Sequence, residues 1–589
     1  MNIKLTGNKH LAAAALSLLF ILIIAVNIFP VFRNFSHLGT MDWDQFYFFT
    51  LLPYISYVRD TEIPFWTPYE AGGREIWSHP HSPAFSPFFP LFIIFGIIKG
   101  YKILLPIHLF IGLWGMYILG GRLGMKKAGR IGAGLLFVFS SYIPIHYAAG
   151  NDVDTTPGVF FPFALYFFLR FTDEKKLKFG ALSALSMLVM FFEGGFYGFI
   201  HFFWLFACFA LLKAFLEKKF SIIKYAAAVF LIILALGEFK ILPSVRFVMD
   251  NPRKEAYNDL QNPLGMSVPA ILYTTLLEKK QVPYPSDEIF TWTAHSGYIG
   301  LLPLACVIFL FFYRPKRYPV EKALALFFLL LNLEGNFFLS RYIWYFLRHF
   351  PVFNSMRHSS DTLFSSLFCI SLLFGYALSD LTVLTEKKRL RRLLPAAVIL
   401  ISALDLAGLN NSVYDMTFVV PEKKASASPA FRQAAPPNFT KKGVLIIGNM
   451  YYDSLHNNYG LINAYTNVWG IRKAVPFNSS EYRGEIYFLN QTGKIKAWRM
   501  TSNKVTAEVS LPFYDKLVLN QNFSRHWKIR GAGPGARVIA YRGLAAADLN
   551  AGEYTVTFYY FPVYTLILLF FTAGAAAFII LKRDMRVEL

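Results

Sequence analysis

Long apolar segments, separated by short polar stretches, run through most of the 589 residues. Roughly 17 to 25 apolar residues are enough to cross a membrane as a helix. We predict about twelve such helices, near residues 11–32, 103–120, 131–148, 157–171, 179–195, 197–215, 225–243, 297–313, 322–339, 361–379, 393–409 and 557–581. The segment at 85–98 is shorter and contains Pro87 and Pro90, so we expect a re-entrant or interfacial helix there.

The positively charged residues indicate how these helices are oriented. Runs of lysine and arginine lie between the apolar segments. If the segment at 85–98 does not cross the membrane, all of these runs lie on the same side of the membrane as both termini. Such runs are typical of cytoplasmic loops. We therefore predict a multi-pass protein of the cell (plasma or inner) membrane with both termini cytoplasmic. Residues 33–102, here called the first loop, are then outside, with Lys99 and Lys102 as exceptions to the charge rule.

The composition supports this class. The chain is 55% hydrophobic and only 16% charged, whereas a soluble protein of this size carries more charge. Its net charge of +22 could suggest nucleic acid, but the cations do not gather on one soluble region. Each cysteine, Cys208, Cys306 and Cys369, lies inside an apolar segment, so no disulfide framework is expected.

Residues 410–556 differ from the rest. A linker rich in proline, alanine, serine and lysine is followed by short alternating or β-branched runs, which are typical of strands. The runs are Val444–Ile447, Lys504–Leu511, Lys516–Leu519, Ala536–Tyr541 and Tyr554–Tyr560. The predicted fold is mainly α and polytopic, with about twelve membrane helices starting in a helical membrane domain at 1–409. An extracytoplasmic all-β domain, whose strand pattern predicts a sandwich, is inserted at 410–556, and a final helix with a basic cytoplasmic tail follows at 557–589.

Two carboxylates, Asp42 and Asp44, flank Trp43 just beyond the first apolar segment. Further along the same loop, residues 64–83 combine aromatic residues, turn residues, an arginine and two histidines. Acidic residues beside a membrane are costly unless they are solvated or used. The pair therefore predicts either a solvated helix end or a functional site.

Five motifs in order extend over nearly the whole chain. They are D-W-D-Q at 42–45, P-x-W-x-P-Y-x-x-G-G at 64–73, P-V-F-N-S-M-R-H at 351–358, N-Q-N-F-S-R-H-W at 520–527 and L-N-A-G-E-Y-T-V-T-F-Y-Y-F-P at 549–562. With these motifs the chain resembles the YfhO-like family of bacterial membrane proteins, within the GT-C class of membrane glycosyltransferases. The resemblance implies a GT-C-like fold for the polytopic helical membrane domain, a lipid-phosphate-linked sugar donor and an essential acidic residue in the first loop. The chain departs from the pattern in having both Asp152 and Asp154 where one acidic or histidine residue is expected.

Sugar transfer needs a base for the acceptor hydroxyl, and a desolvated carboxylate is suitable. Asp42 and Asp44 are the candidates, with no choice between them, and Asp154 is the further catalytic candidate on the same side. The cofactor stays unknown. Mg²⁺ or Mn²⁺ could be held by Asp42 and Asp44, because hard cations prefer oxygen ligands.

The donor phosphate needs cations. Arg74 is the first candidate because it follows two glycines and arginine binds phosphate bidentately; the others are Arg357, His358, Arg246 and Arg253. Trp66, Tyr69 and Trp77 could stack on the sugar, or could belong to an interfacial aromatic belt. His79 and His81, with no third ligand nearby, predict loop packing rather than a zinc site.

The resemblance implies a membrane glycosyltransferase of the GT-C type, and the candidate residues suit that chemistry. Its partners would be a polyprenyl-phosphate-sugar donor, membrane lipids and an envelope acceptor: a teichoic acid, a polysaccharide or a glycolipid. No glycine motif for a nucleotide is present. The alternatives are a transporter or flippase of lipid-linked glycans, which would place charges in the middle of helices, and a non-catalytic envelope-assembly protein.

Overall fold

The computed structural model describes residues 3–250, 268–280, 293, 295–333, 337–350, 353, 362–384, 389–423, 430–435, 450–462 and 473–589. The helices are α1 Ile3–Ile28, α2 Trp43–Tyr54, α3 Phe89–Phe95, α4 Ile97–Arg122, α5 Lys127–Phe139, α6 Tyr142–Ala148, α7 Asp152–Thr155, α8 Phe161–Glu174, α9 Leu177–Phe192, α10 Phe196–Glu217, α11 Ser221–Asp250, α12 Val268–Leu276, α13 Leu301–Tyr313, α14 Pro319–Leu331, α15 Phe338–Leu347, α16 Leu363–Leu384, α17 Leu390–Asp415, α18 Met450–His456 and α19 Val563–Leu581. The strands are β1 Trp66–Thr67, β2 Arg74–Glu75, β3 Arg432–Ala434, β4 Tyr459–Leu461, β5 Ile486–Phe488, β6 Lys494–Met500, β7 Lys504–Leu511, β8 Asp515–Asn522, β9 Trp527–Arg530, β10 Ile539–Tyr541, β11 Leu544–Leu549 and β12 Gly552–Tyr560.

A helical bundle and a β domain make up the chain, so the predicted fold class is confirmed. Within the described residues, 8 helices are long and apolar enough to cross a membrane: α1, α4, α5 continued by α6, α10, α11, α16, α17 and α19. The four remaining predicted spans correspond to α8, α9, α13 and α14, which have 14, 16, 13 and 13 residues. The protein is a multi-pass membrane protein.

The apolar segment at 85–98 does not form a long helix. It contains α3, whose 7 residues extend over about 10 Å, too short to cross the hydrocarbon layer. Gly96, with a φ of 77°, separates α3 from α4 and adopts this left-handed conformation easily because it has no Cβ. Because α4 begins at Ile97, Lys99 and Lys102 lie in its first turns.

The β domain is a sandwich of two four-stranded sheets, with strand orders β10-β11-β8-β5 and β6-β7-β12-β9. All neighbouring strands within these two sheets are antiparallel. Their inward-facing apolar residues form one shared core, as expected for packed sheets. The predicted strand Lys504–Leu511 coincides with β7, and the alternation of its buried residues explains why sequence located it.

The segment before the sandwich packs on the first loop. The parallel pair β3–β4 is joined to the loop by a bridge between Leu461 and Glu70, and α18 packs against α2. Helix α17 continues to Asp415, beyond the predicted boundary at 409. The predicted strand Val444–Ile447 lies outside the described residues, and the domain boundaries stay predictions.

Candidate active site

The β sandwich contacts the first loop through Asn522, at the end of β8. Its Nδ2 donates hydrogen bonds to the carbonyl oxygens of Ala71 (2.7 Å) and Gly73 (2.9 Å). Its backbone N–H donates to the carbonyl oxygen of Gly72 (2.8 Å). Gly72 and Gly73 have φ angles of 79° and 101°, where any other side chain would be strained. The sandwich thus fixes the backbone immediately before Arg74.

A cleft of about 250 Å³ opens beside this contact, and we call it the cationic cleft. It lies where the first loop, the end of α11, the turn between β8 and β9 and the start of α19 meet. Its charged lining consists of Arg74, Arg246, Arg525 and His526, together with Glu75 and Asp250. Desolvation by burial lowers the pKa of His526. Three guanidinium groups around one small space make the cleft suitable for an anionic group such as a phosphate.

Arg74 and Arg246 occupy different environments within the cationic cleft. The Arg74 Nη1 lies 2.8 Å from a carboxylate oxygen of Glu70, and both side chains are buried. The Arg74 guanidinium also lies over the ring of Phe247, 5.1 Å from its centre. Arg246 is more exposed and faces Asp250 at 3.4 Å. Arg74 is therefore held in place by its neighbours, whereas Arg246 can reorient.

Asp44 caps a helix of the region before the sandwich. Its side chain is buried, and its two carboxylate oxygens accept hydrogen bonds from the backbone N–H groups of Tyr451 (2.9 Å) and Tyr452 (2.8 Å), in the first turn of α18. Carboxylates are favourable at this position because the first N–H groups of a helix lack partners within the helix. Asp44 therefore joins the first loop to α18.

Asp42 has a different environment, at the start of α2. Its side chain is partly exposed, and its backbone N–H donates to the carbonyl oxygen of Ala149 (3.0 Å). Asp42, Phe46 and Phe49 share one face of the helix by their spacing. The rings of Phe46 and Phe49 lie 5.8 and 6.1 Å from that of His81, so this face of α2 is directed toward His81.

Asp154 lies beside the same histidine. The His81 Nδ1 is 3.1 Å from the carbonyl oxygen of Gly194 and 3.6 Å from a carboxylate oxygen of Asp154. The backbone N–H of Tyr197 donates to Asp154 at 3.1 Å. Because the His81 Nδ1 lies between two oxygens, the protonated Nδ1 tautomer fits this arrangement. His81 therefore joins the face of α2 that carries Asp42 to the segment that carries Asp154.

Asp152 faces the helical bundle instead. Its carboxylate accepts a hydrogen bond from the hydroxyl of Thr156, and burial raises its pKa to about 6. Nearby, the His108 Nε2 lies 2.9 Å from a carboxylate oxygen of Glu193, and both side chains are buried. Glu193 precedes Gly194, so this pair lies directly behind the turn that contacts His81.

Three solved structures are similar to this chain. The arabinofuranosyltransferase AftD from Mycobacteria has 15% sequence identity and a TM-score of 0.44, over 72% of this chain and 29% of its own. The Archaeoglobus fulgidus oligosaccharyltransferase has 13% identity and a TM-score of 0.39, over 70% of this chain and 56% of its own. ArnT from Cupriavidus metallidurans in the apo state has 13% identity and a TM-score of 0.34, over 69% of this chain and 76% of its own.

The chain thus spans less than a third of the length of AftD and about half of the oligosaccharyltransferase. No protein-family model matches it. No curated protein matches it either.

The three aromatic residues predicted to stack on a sugar are all buried. The Trp66 Nε1 donates to Gln521 (2.8 Å), and the indole stacks on Tyr560 at 4.8 Å. The Trp77 Nε1 donates to the carbonyl oxygen of Phe239 (2.9 Å). The Tyr69 hydroxyl accepts a hydrogen bond from Arg59 (2.7 Å) and donates to Asn458 (2.8 Å). Trp66 alone of the three lines the cationic cleft, and stacking on a sugar stays a prediction for each.

Some predicted residues lie outside the described part of the chain: Arg253, Arg357 and His358. For a metal, the residues that the structure describes contain no group of three or more histidine, cysteine or acidic residues placed to hold one. Each carboxylate oxygen of Asp44 accepts one backbone N–H group. Metal binding by Asp42 and Asp44 stays a prediction.

Sequence reasoning did not select Arg525, His526 or Asn522 for the site, although the motif N-Q-N-F-S-R-H-W contains all three. The run of three amides was a usable signal, because buried amides need hydrogen-bond partners. The partner, however, is a loop about 450 residues away, and no local pattern reveals a contact of that range.

Proposed function

We propose that this protein is a glycosyltransferase of the GT-C type that moves a sugar from a polyprenyl-phosphate donor to an acceptor of the cell envelope. The observation that carries the proposal is the cationic cleft, formed where the first loop and the β sandwich meet the ends of two membrane helices. The ordered motifs that resemble the YfhO-like family support it, since two of them, at 64–73 and 520–527, are the segments that build the cleft.

The position of the cleft suits a lipid-linked donor. Arg246 and Asp250 belong to the last turns of α11, and Tyr564 to the first turn of α19. A phosphate bound here keeps its hydrocarbon chain at the membrane, so the donor need not leave the bilayer. Arg74, Arg246 and Arg525 would hold the phosphate and stabilise the charge it gains during transfer.

Asp42 is the proposed base, in preference to Asp44. A base must present an oxygen to the acceptor hydroxyl, and both oxygens of Asp44 accept backbone N–H groups of α18. In the reaction, the carboxylate takes the hydroxyl proton and the acceptor oxygen bonds to the anomeric carbon of the sugar. The bond from that carbon to the phosphate oxygen breaks, and its electron pair leaves with the polyprenyl phosphate.

Contiguous groups connect the cleft with the two acids. The Arg74 guanidinium covers Phe247, whose ring lies 5.3 Å from that of His79, which is 6.0 Å from His81. Beyond His81 lie Asp154 and the Asp42 face of α2.

Cells with and without the gene provide the test of the proposed activity. Mass analysis of their teichoic acids, polysaccharides and glycolipids should reveal one glycan class that lacks a sugar when the gene is absent. Cells that carry Asp42→Asn at normal membrane levels should show the same loss. If Asp42→Asn restores the sugar, Asp42 is not the base, and if Asp154→Asn also restores it, the protein acts in envelope assembly without catalysis. If lipid-linked donor accumulates on the cytoplasmic side in cells that lack the gene, the protein is a flippase.

A further inference from the structure

An apolar groove runs between α1 and α4, on the membrane-facing side of the bundle. Its volume is about 510 Å³, and its lining is entirely hydrophobic. From α1 it includes Ile24 and Ala25, from the turn after α1 Phe29, and from α4 Pro106 and Phe110. Both helices are long and apolar enough to cross a membrane, so the groove lies at the depth of the hydrocarbon layer. We call it the α1–α4 groove.

Aromatic side chains border the groove on the side toward the end of α4. The ring of Phe20 contacts Phe110, Trp114 and Tyr117, with ring centres 6.5, 5.7 and 6.3 Å apart. On its other flank α1 is joined to α17 by a hydrogen bond from Asn410 to Asn27 (3.1 Å). Toward the first loop the lining continues with Phe29 and Phe32, and its apolar surface suits a hydrocarbon chain from that leaflet.

Charged groups stand at the mouth of the groove. The Arg33 guanidinium lies 5.4 Å from the centre of the Phe29 ring, which forms part of the groove wall. The same guanidinium pairs with the Asp415 carboxylate at 2.7 Å, and the two side chains are 56% and 42% exposed. Lys102 lies on the α4 side but is buried and donates to the carbonyl oxygen of Asn34. Arg33 and Asp415 therefore place an exposed cation and an exposed anion side by side.

We propose that the α1–α4 groove binds a phospholipid that carries a phosphate and a primary ammonium, as phosphatidylethanolamine does. One hydrocarbon chain fills the groove, the phosphate contacts Arg33 and the ammonium contacts Asp415. An exposed guanidinium and carboxylate complement both charges of such a headgroup, whereas a polyprenyl phosphate offers no ammonium. The groove also lies apart from the cationic cleft, which is built on α11 and α19.

A bound lipid at this position has a consequence for the candidate site. Arg33 and Asn34 open the first loop, and Asn34 also donates to the carbonyl oxygen of Phe418 (3.0 Å). Leu38 pairs with Val420 just before Asp42. A headgroup held at Arg33 would therefore order the segment that leads to Asp42.

Native mass spectrometry of the full-length protein, delipidated and titrated with phosphatidylethanolamine, tests the proposal. Ala25→Trp places a bulky ring in the groove and should abolish tight lipid retention. Leu22→Trp, on an exposed part of the same helix outside the groove lining, should leave it unchanged. Arg33→Gln should weaken retention roughly tenfold, the value of one charge-assisted hydrogen bond.

Two results would overturn the proposal. Equal retention by the wild type, Ala25→Trp and Leu22→Trp would mean that the lipid binds elsewhere. Phosphatidylglycerol binding as tightly as phosphatidylethanolamine would mean that Asp415 does not select an ammonium. A thermal unfolding curve for each variant, matching that of the wild type without lipid, ensures that the comparison concerns folded protein.

Discussion

Asp42→Asn is expected to lower the rate of sugar transfer by about 10²–10⁴-fold, the usual loss when a general base is removed. The change is nearly isosteric and removes the charge and the basic oxygen. The substitution keeps the hydrogen bond from the backbone N–H of residue 42 to the carbonyl oxygen of Ala149. Initial rates at saturating donor, together with thermal unfolding, measure the two effects separately.

Asp44→Asn is the matched control two residues away. An amide presents one oxygen and one N–H₂ group where the carboxylate has two oxygens, so one N–H of Tyr451 or Tyr452 loses its acceptor. An unsatisfied buried donor costs on the order of 1–3 kcal/mol, so this variant should unfold at lower temperature. Near-normal transfer by Asp42→Asn together with a large loss of transfer by a stably folded Asp44→Asn would contradict the assignment of Asp42 as the base. If both variants retain near-normal transfer, Asp154 becomes the candidate base.

Arg74→Lys is expected to raise the apparent KM for the lipid donor by roughly 10- to 100-fold, because lysine keeps the charge but loses the bidentate geometry. Lysine is chosen because a neutral residue would leave the buried Glu70 without its partner, which is strongly destabilising. Arg525→Gln, in the β sandwich, should act in the same direction, since Arg525 lines the same cleft.

Arg130→Lys is the control for these arginine variants. Arg130 lies near the start of α5, away from the cleft, and its Nε donates to the carbonyl oxygen of Met125 (2.9 Å). The KM of the Arg130→Lys variant for the lipid donor should equal that of the wild type. A normal KM for both Arg74→Lys and Arg525→Gln would place the donor phosphate elsewhere.

Sequence patterns located the elements better than the site. The apolar segments correspond to helices, and the predicted strand Lys504–Leu511 has the same first and last residues as β7. Both succeeded because periodicity records which residues are buried. The site depends on contacts that periodicity does not record. Asp42 and Asp44 are alike in sequence, and only the position of α18 separates a capping carboxylate from a partly exposed one.

The aromatic residues of the first loop illustrate the same limit. An indole in a loop near a membrane is chemically suited to stacking on a sugar and equally to packing. Trp66 and Trp77 are buried because Gln521 and the carbonyl of Phe239 accept their N–H groups. Both partners are remote in sequence, so the burial of these two indoles could not be predicted from the loop alone.

Transfer by the purified protein in proteoliposomes tests the central claim most directly. An impermeant maleimide reacting with a cysteine in place of the exposed Phe513 reports which fraction of the protein faces outward. A synthetic polyprenyl-phosphate sugar, supplied with envelope glycans from cells that lack the gene, should release polyprenyl phosphate in proportion to that fraction, and Asp42→Asn should release almost none. Transfer from a nucleotide sugar without the lipid-linked donor would contradict the account.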